Sequence, residues 1–293
     1  MISPGYLPLR KAFLLLIISS LGFITLQGQE PDTSSYLPYY YEDAISYNLL
    51  IAAVQGYDSE VERLISKGAD VNFTNSEGAT PLFFAVAGNH SGTVKKLLDY
   101  EPEIDRKTAF GESPLHIAVR NGNIEIAEIL IRAGADIDIT DVNGAVSLHY
   151  ASLSGDFYLA DLLLYYRAEC DMKAADGTTP LMAAILTGNA DVADLLIQHG
   201  ANMEARDNNG FTPFLIAAQN GDTLLMNYLL DQGVDIYERN ASNSDALALA
   251  ISSNHLSAVK FLLKRGSKWM SENDFGSNPY HVAVTYGRKE IFS

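Results

Sequence analysis

One cysteine, Cys170, is the whole thiol content of the chain. A single cysteine makes no internal disulfide and no Cys-rich zinc or iron–sulfur site. Basic residues are also scarce: 20 Lys and Arg stand against 36 Asp and Glu, a formal charge of −16. That balance argues against general nucleic-acid binding, which needs a basic surface to displace counterions from phosphate. It argues equally against docking on anionic lipid. Nor is the chain short of apolar matter, since 47% hydrophobic and 19% charged residues describe a folded protein rather than a disordered one. Its 293 residues exceed one small core.

Near the N-terminus, Arg10 and Lys11 precede an uncharged apolar run, Ala12 to Leu26, followed by Gln27-Gly28-Gln29. A short basic region, an apolar stretch and a small residue make a secretory signal peptide over residues 1–28. Cleavage is expected after Gly28, although Leu26 fills the third position before that cut, where a small residue is preferred. The mature chain would carry 18 basic and 36 acidic residues, a charge of −18. The rival reading is an uncleaved anchor over residues 12–28. The 18 residues between Lys11 and Glu30 carry no charge and stand at the low edge of a bilayer span. The expected location is therefore secreted or periplasmic. The alternative is a membrane-anchored chain facing the exported side. Residues 29–43 hold two prolines and four tyrosines without period and read as a linker.

From residue 44 the chain repeats. Gly78, Gly111, Gly144, Gly177 and Gly210 are each 33 residues apart, and Gly276 lies 66 beyond the last. Three residues after these glycines stand Pro81, Pro114, Ser147, Pro180, Pro213 and Pro279. Thr80, Ser113, Thr179, Thr212 and Asn278 directly precede the prolines. A side-chain oxygen there caps a helix start, and proline at the first helical position wastes no hydrogen bond. In unit 240–272 Asp245 is the expected cap, with Ala246 behind it. In unit 141–173 Val146 has no capping oxygen, so Ser147 is expected to act instead. A second helix follows, marked by apolar pairs such as Leu97/Leu98, Leu130/Ile131 and Leu163/Leu164. Gly68, Gly134, Gly200, Gly233 and Gly266 then end it, where a left-handed residue is wanted. Such helix pairs bury their apolar faces only by stacking. The expected fold is all-α, an elongated solenoid of helix pairs joined by β-hairpin-like turns.

Ser113-Pro114-Leu115-His116-Ile117-Ala118, Gly134-Ala135-Asp136-Ile137-Asp138 and Thr179-Pro180-Leu181-Met182-Ala183-Ala184 resemble the signature of ankyrin repeats. The resemblance covers residues 44–293. It divides them into an N-terminal capping unit, 44–74, without a full hairpin, and full units 75–107, 108–140, 141–173, 174–206, 207–239 and 240–272. A partial unit, 273–293, follows. The chain stops about where that unit's outer helix should begin, which favours a continuation beyond Ser293 over a frayed end.

Chemistry-bearing residues are few. His116, His149 and His281 share one motif position, and the resemblance implies that they bond backbone between repeats. Equivalent side chains in stacked units stand roughly 8–10 Å apart, whereas zinc holds each ligand at about 2 Å. No metal and no cofactor is expected. Cys170 falls in an apolar column with Val71, Ile104, Ile137, Met203, Ile236 and Trp269, so it should be a buried small hydrophobe. Glu60/Glu62 and Glu125/Glu128 read as solvent-face carboxylates. No Gly-x-Ser-x-Gly elbow, Walker loop or dinucleotide fingerprint appears. The chain is expected not to be an enzyme.

The resemblance implies binding contacts on the hairpin tips and the concave inner-helix face. The tips carry Phe110, Val142, Phe211 and Phe275; the inner-helix positions carry Arg120, Leu153, Leu186, Gln219 and Tyr286. Stacking should align Leu153 with Leu186 between Arg120 and Gln219. Exposed apolar residues mark contact surfaces, and aromatic and Arg anchors dominate them. The expected role is a non-enzymatic, exported scaffold that binds a protein partner, not nucleic acid. It would meet a membrane only if residues 12–28 remain as an anchor. The competing readings are a membrane-tethered scaffold and an accessory or inhibitory subunit of an exported enzyme.

Overall fold

The computed structural model describes residues 41–269 and 278–288. The signal-peptide reading and most of the linker, residues 1–40, lie outside them, as does Phe275. The described residues form a solenoid of fifteen helices. In chain order these are α1 (Tyr41–Gln55), α2 (Asp58–Ser66), α3 (Pro81–Ala87), α4 (Ser91–Leu98), α5 (Pro114–Arg120), α6 (Ile124–Arg132), α7 (Ser147–Ser154) and α8 (Phe157–Tyr165). They continue as α9 (Pro180–Leu186), α10 (Ala190–Gln198), α11 (Pro213–Asn220), α12 (Thr223–Asp231), α13 (Ala246–Ser252), α14 (Leu256–Lys264) and α15 (Pro279–Thr285). From α1 to α14, odd-numbered helices form an inner row and even-numbered ones an outer row. From α3 to α14 each inner helix packs on its own outer partner and on the next inner helix.

The inner helices start as their sequence requires. Thr80, Ser113, Thr179, Thr212, Asp245 and Asn278 each accept a hydrogen bond from the backbone N–H three residues on. Unit 141–173 departs from the expectation. Ser147 is the first helical residue and not a cap, and its hydroxyl is buried without a partner. The start of α7 is held instead by His149, whose Nδ1 accepts the Val146 N–H at 3.2 Å.

The N-terminal unit is a full helix pair. Its inner helix α1 begins about two turns ahead of the inner-helix register and occupies the place where other units carry a tip. Ser46 on that extension is buried, and its hydroxyl accepts the Asp70 N–H at 2.9 Å.

Outer helices bury the first leucine of each pair, including Leu97, Leu130, Leu163, Leu196, Leu229 and Leu262. Gly134 shows how such a helix ends. At φ 95° it turns the chain so that its own N–H reaches the Ile131 carbonyl and the Ala135 N–H reaches that of Leu130. In the same place unit 141–173 carries Arg167, forced to φ 68°, although a Cβ disfavours that region.

Between inner helices the chain runs out into short tips, and the tips are laced together. Ala109, Val142, Ala175, Asn208 and Ala241 each donate a backbone N–H to the preceding tip, at 2.7, 3.4, 2.7, 2.9 and 2.8 Å. The approach is close: a Cβ on Gly210 would lie 2.6 Å from the Ala241 nitrogen. Long basic side chains add a second line of stitches. Lys107, Lys173 and Arg206 each donate to the backbone carbonyl 33 residues on, that of Thr140, Arg206 and Arg239, at 2.7, 2.9 and 2.7 Å.

Candidate interaction surface

The expected contact positions fall on the tips and the C-terminal ends of the inner helices. At the tips, Phe110 is 57% and Val142 64% exposed, and the Val142 N–H donates to the Phe110 carbonyl, which makes them neighbours. Phe211 is only half-buried rather than exposed, because its backbone closes a tight turn with the Asp207 carboxylate, which accepts the Phe211 N–H at 2.8 Å.

Leu153 and Leu186 lie in the last turns of the neighbouring helices α7 and α9 and are 46% and 47% exposed. Their backbones are fixed by the following units: Asn189 donates to the Leu153 carbonyl at 3.2 Å, and Asn220 to that of Leu186 at 3.5 Å. Gln219 is exposed on the next inner helix. Arg120 on the preceding one is paired with Glu112. Tyr286, at the end of α15, is exposed beneath the Arg288 guanidinium, 5.8 Å from its ring centre.

Under Leu153 lies a polar network that the sequence reading missed. Tyr150, one turn earlier on α7, donates its hydroxyl to Asp141 at 2.5 Å and meets the His116 ring edge-on at 5.8 Å. Burial alone would raise the Asp141 carboxyl. The bonds from Tyr150 and from the Ala145 and Asn143 N–H groups outweigh it and hold the group below the usual carboxylate range. Burial pushes Glu112 up despite Arg120, and Glu238 up despite Thr212 and Arg206. The one available signal was Tyr150 in a column otherwise filled by Phe84, Ile117, Ala183 and Ile216.

The motif histidines are framework. The Ser113 N–H donates to His116 Nδ1 at 3.1 Å, so Nε2 carries the proton and donates to the Ala145 carbonyl of the next unit at 3.1 Å. His149 repeats this across to Thr178 at 3.0 Å. Burial lowers both imidazoles below the ordinary histidine value. His281 accepts the Asn278 N–H in the same way.

Cys170 corrects the expectation of burial. It is half-buried beside Arg167 and His199, with Sγ 3.7 Å from the His199 carbonyl. Its column lies where the chain enters the tip, so Val71, Ile137 and Met203 are half-buried too. Partial burial and the nearby Asp171 and Glu169 raise the thiol, the opposite of activation. The paired carboxylates are ion pairs: Glu60 with Arg63, Glu62 with Lys96 at 2.5 Å, Glu125 with Lys95 at 3.0 Å and Glu128 with Arg132 at 2.7 Å. Among the described residues no group of three His, Cys, Asp or Glu is placed to hold a metal ion, and no helix is long and apolar enough to cross a membrane.

Stacked helix pairs, laced tips and histidines bonded across units define a protein of the helical-repeat class. The family profile of ankyrin repeats (three copies) matches residues 49–141, 148–240 and 215–293. The chain belongs to the ankyrin-repeat family, whose members are generally non-enzymatic scaffolds for protein partners. It is also similar to the ARF GTPase-activating protein Git of Drosophila melanogaster, 42% identical over 73 residues. That stretch is 25% of this chain and 9% of the fly protein's length.

Proposed function

We propose that the chain is a non-enzymatic scaffold whose protein partner docks on the tips and concave inner-helix face of units 108–239. The observation that carries this is the pair Leu153 and Leu186, each about half exposed on adjacent inner helices, with Phe110 and Val142 exposed at neighbouring tips. Apolar groups held outward on a rigid frame favour a partner that covers them. Arg120 and Gln219 flank the pair and would supply polar contacts at its rim. Tyr286 would extend the same line toward the C-terminus.

We propose further that residues 1–28 export the scaffold and are removed, leaving a secreted or periplasmic chain that starts at Gln29. The apolar run after Arg10-Lys11 supports this. N-terminal sequencing of the exported product separates it from the tethered alternative, which would retain residues 12–28.

The surface is tested by affinity capture with residues 29–293, identification of captured proteins by mass spectrometry, and the double variant Leu153→Asp with Leu186→Asp. Both side chains are surface groups, so the helical circular dichroism should be unchanged while capture of the identified partner is abolished. Undiminished capture by the double variant rejects this surface.

A further inference from the structure

The outer helix of unit 141–173 breaks the pattern of the array. Its neighbours α6 and α10 turn polar residues outward, whereas α8 reads Phe-Tyr-Leu-Ala-Asp-Leu-Leu-Leu-Tyr. The inward side of α8 buries Leu159, Ala160, Leu163 and Leu164, which is the core contribution expected of any outer helix here. Its outward aromatics are surplus to that core. Tyr158 is 71% and Tyr165 76% exposed. Seven residues apart, they stand on one line about 10 Å long, with half-buried Leu162 between them. In the repeat register the position of Tyr158 holds Glu125 and Asp191 in the units on either side, and that of Tyr165 holds Arg132 and Gln198. Edge-on contacts fix the rings: Phe157 on Tyr158 at 5.9 Å and Tyr165 on Tyr166 at 5.1 Å.

Carboxylates outnumber cations around this stripe. Outer helix α6 packs on one side of α8 and α10 on the other. Glu125 and Glu128, already paired with Lys95 and Arg132, border the stripe on the first side, Asp191 and Asp194 on the second, and Asp161 lies on α8 itself. The nearby cation Arg132 is committed to Glu128 and to the Tyr166 hydroxyl at 2.9 Å. Asp161, Asp191 and Asp194 form no salt bridge with any described residue.

We propose that the outward face of α8 is a second docking surface, distinct from the concave one, and that it takes a cationic amphipathic helix. The apolar side of such a helix would lie along Tyr158, Leu162 and Tyr165. Its Lys and Arg side chains would meet Asp161, Asp191 and Asp194 and the tyrosine ring faces. Charge complementarity selects this occupant. A formal charge of −16 repels a second copy of the chain and an anionic lipid surface alike.

The test uses residues 29–293 and a synthetic amphipathic helix of about four turns, Trp and Leu on one side and Lys and Arg on the other. Binding is followed by calorimetry at two salt concentrations. Saturable binding that weakens with salt is expected. Tyr158→Ser with Tyr165→Ser should weaken it at least about tenfold. Asp191→Asn with Asp194→Asn should weaken it by a smaller factor, about threefold. Leu153→Asp with Leu186→Asp should leave it unchanged, which separates this surface from the concave one. The same helix with Glu for every Lys and Arg should not bind. The proposal is overturned by absence of saturable binding, or by equal binding of the Glu helix. Sedimentation that shows a dimer abolished by the tyrosine variant would assign the face to a second copy instead. Uptake by phosphatidylserine–phosphatidylcholine vesicles, lost in that variant, would assign it to lipid.

Discussion

Units 108–140 and 141–173 are neighbours with the same helices and the same core, yet they are specified differently. The first is written locally: Ser113 caps α5, Pro114 opens it, and Gly134 closes α6. The second has Val146, Ser147 and Arg167 at those three places, and its inner helix carries Tyr150 and Ser152 where α5 carries Ile117 and Val119. It folds to the same shape because its neighbours hold it. His116 bonds into its tip from one side, and its own His149 bonds out to Thr178 on the other. Local helix signals and contacts between units are thus exchangeable within limits. The unit that depends most on its neighbours is also the one whose exposed residues depart furthest from the rest.

The comparison is broken most severely in the core. Leu130 and Leu163 are equivalent and both fully buried. Leu130→Ala and Leu163→Ala should each cost ~2–5 kcal/mol, read from urea unfolding of residues 29–293. If the two units share one core, the two losses agree to within about 1 kcal/mol. A much smaller loss for Leu163→Ala would mean that unit 141–173 contributes little to the cooperative fold.

Repairing the weaker unit sharpens the contrast. Val146→Thr puts a hydroxyl of nearly the same volume at a buried position from which it can accept the His149 N–H. It should add ~1 kcal/mol. Arg167→Gly relieves a left-handed backbone angle and should add a similar ~1 kcal/mol. The corresponding changes in unit 108–140, Ser113→Val and Gly134→Arg, should lose comparable amounts in the same unfolding assay. Failure of both repairs to stabilise would show that contacts between units already compensate fully.

The smallest expected effect is one of pH. Burial depresses His116 and His149 below the ordinary value of 6.5. The unfolded chain therefore binds more protons than the folded one once the pH falls below about 6.5, so stability is full above that value and declines beneath it. The decline continues until the pH passes the lowered folded values. Replacing both histidines by Gln should flatten the midpoint-versus-pH curve between pH 6.5 and that lower limit. An unchanged slope would place the proton uptake elsewhere.

Most of the architecture was legible because it is written 33 residues at a time. Caps, prolines and apolar pairs each carry a local mechanical meaning, and repetition removes the ambiguity of any single instance. What stayed hidden depends on neighbours across the stack. The column containing Cys170 is apolar, but an apolar column at a tip entrance is only half covered, and no single sequence states how deep a column lies. Tyr158 and Tyr165 fit the helical pattern of α8, so their outward aim emerges only when Leu159 and Leu163 are seen to fill the core already. The Tyr150–Asp141 bond joins an inner helix to the tip before it, and Tyr150 stands out only against the apolar residues of its column. Of the expected contact positions, the exposure of Leu153 and Leu186 followed from register, whereas the half-burial of Phe211 came from a turn formed by its own Asp207.

The stitches along the tips also set the mechanical character of the array. Each backbone rung ties one unit only to the next, and the Val142 rung is the longest, at 3.4 Å. A pull along the stack is therefore shared in series, like load on the coils of a spring, and gives first where a coil is softest. At the junction of units 108–140 and 141–173, where the rung is longest, the His116 bond to the Ala145 carbonyl and the Lys107 bond to the Thr140 carbonyl supply further ties.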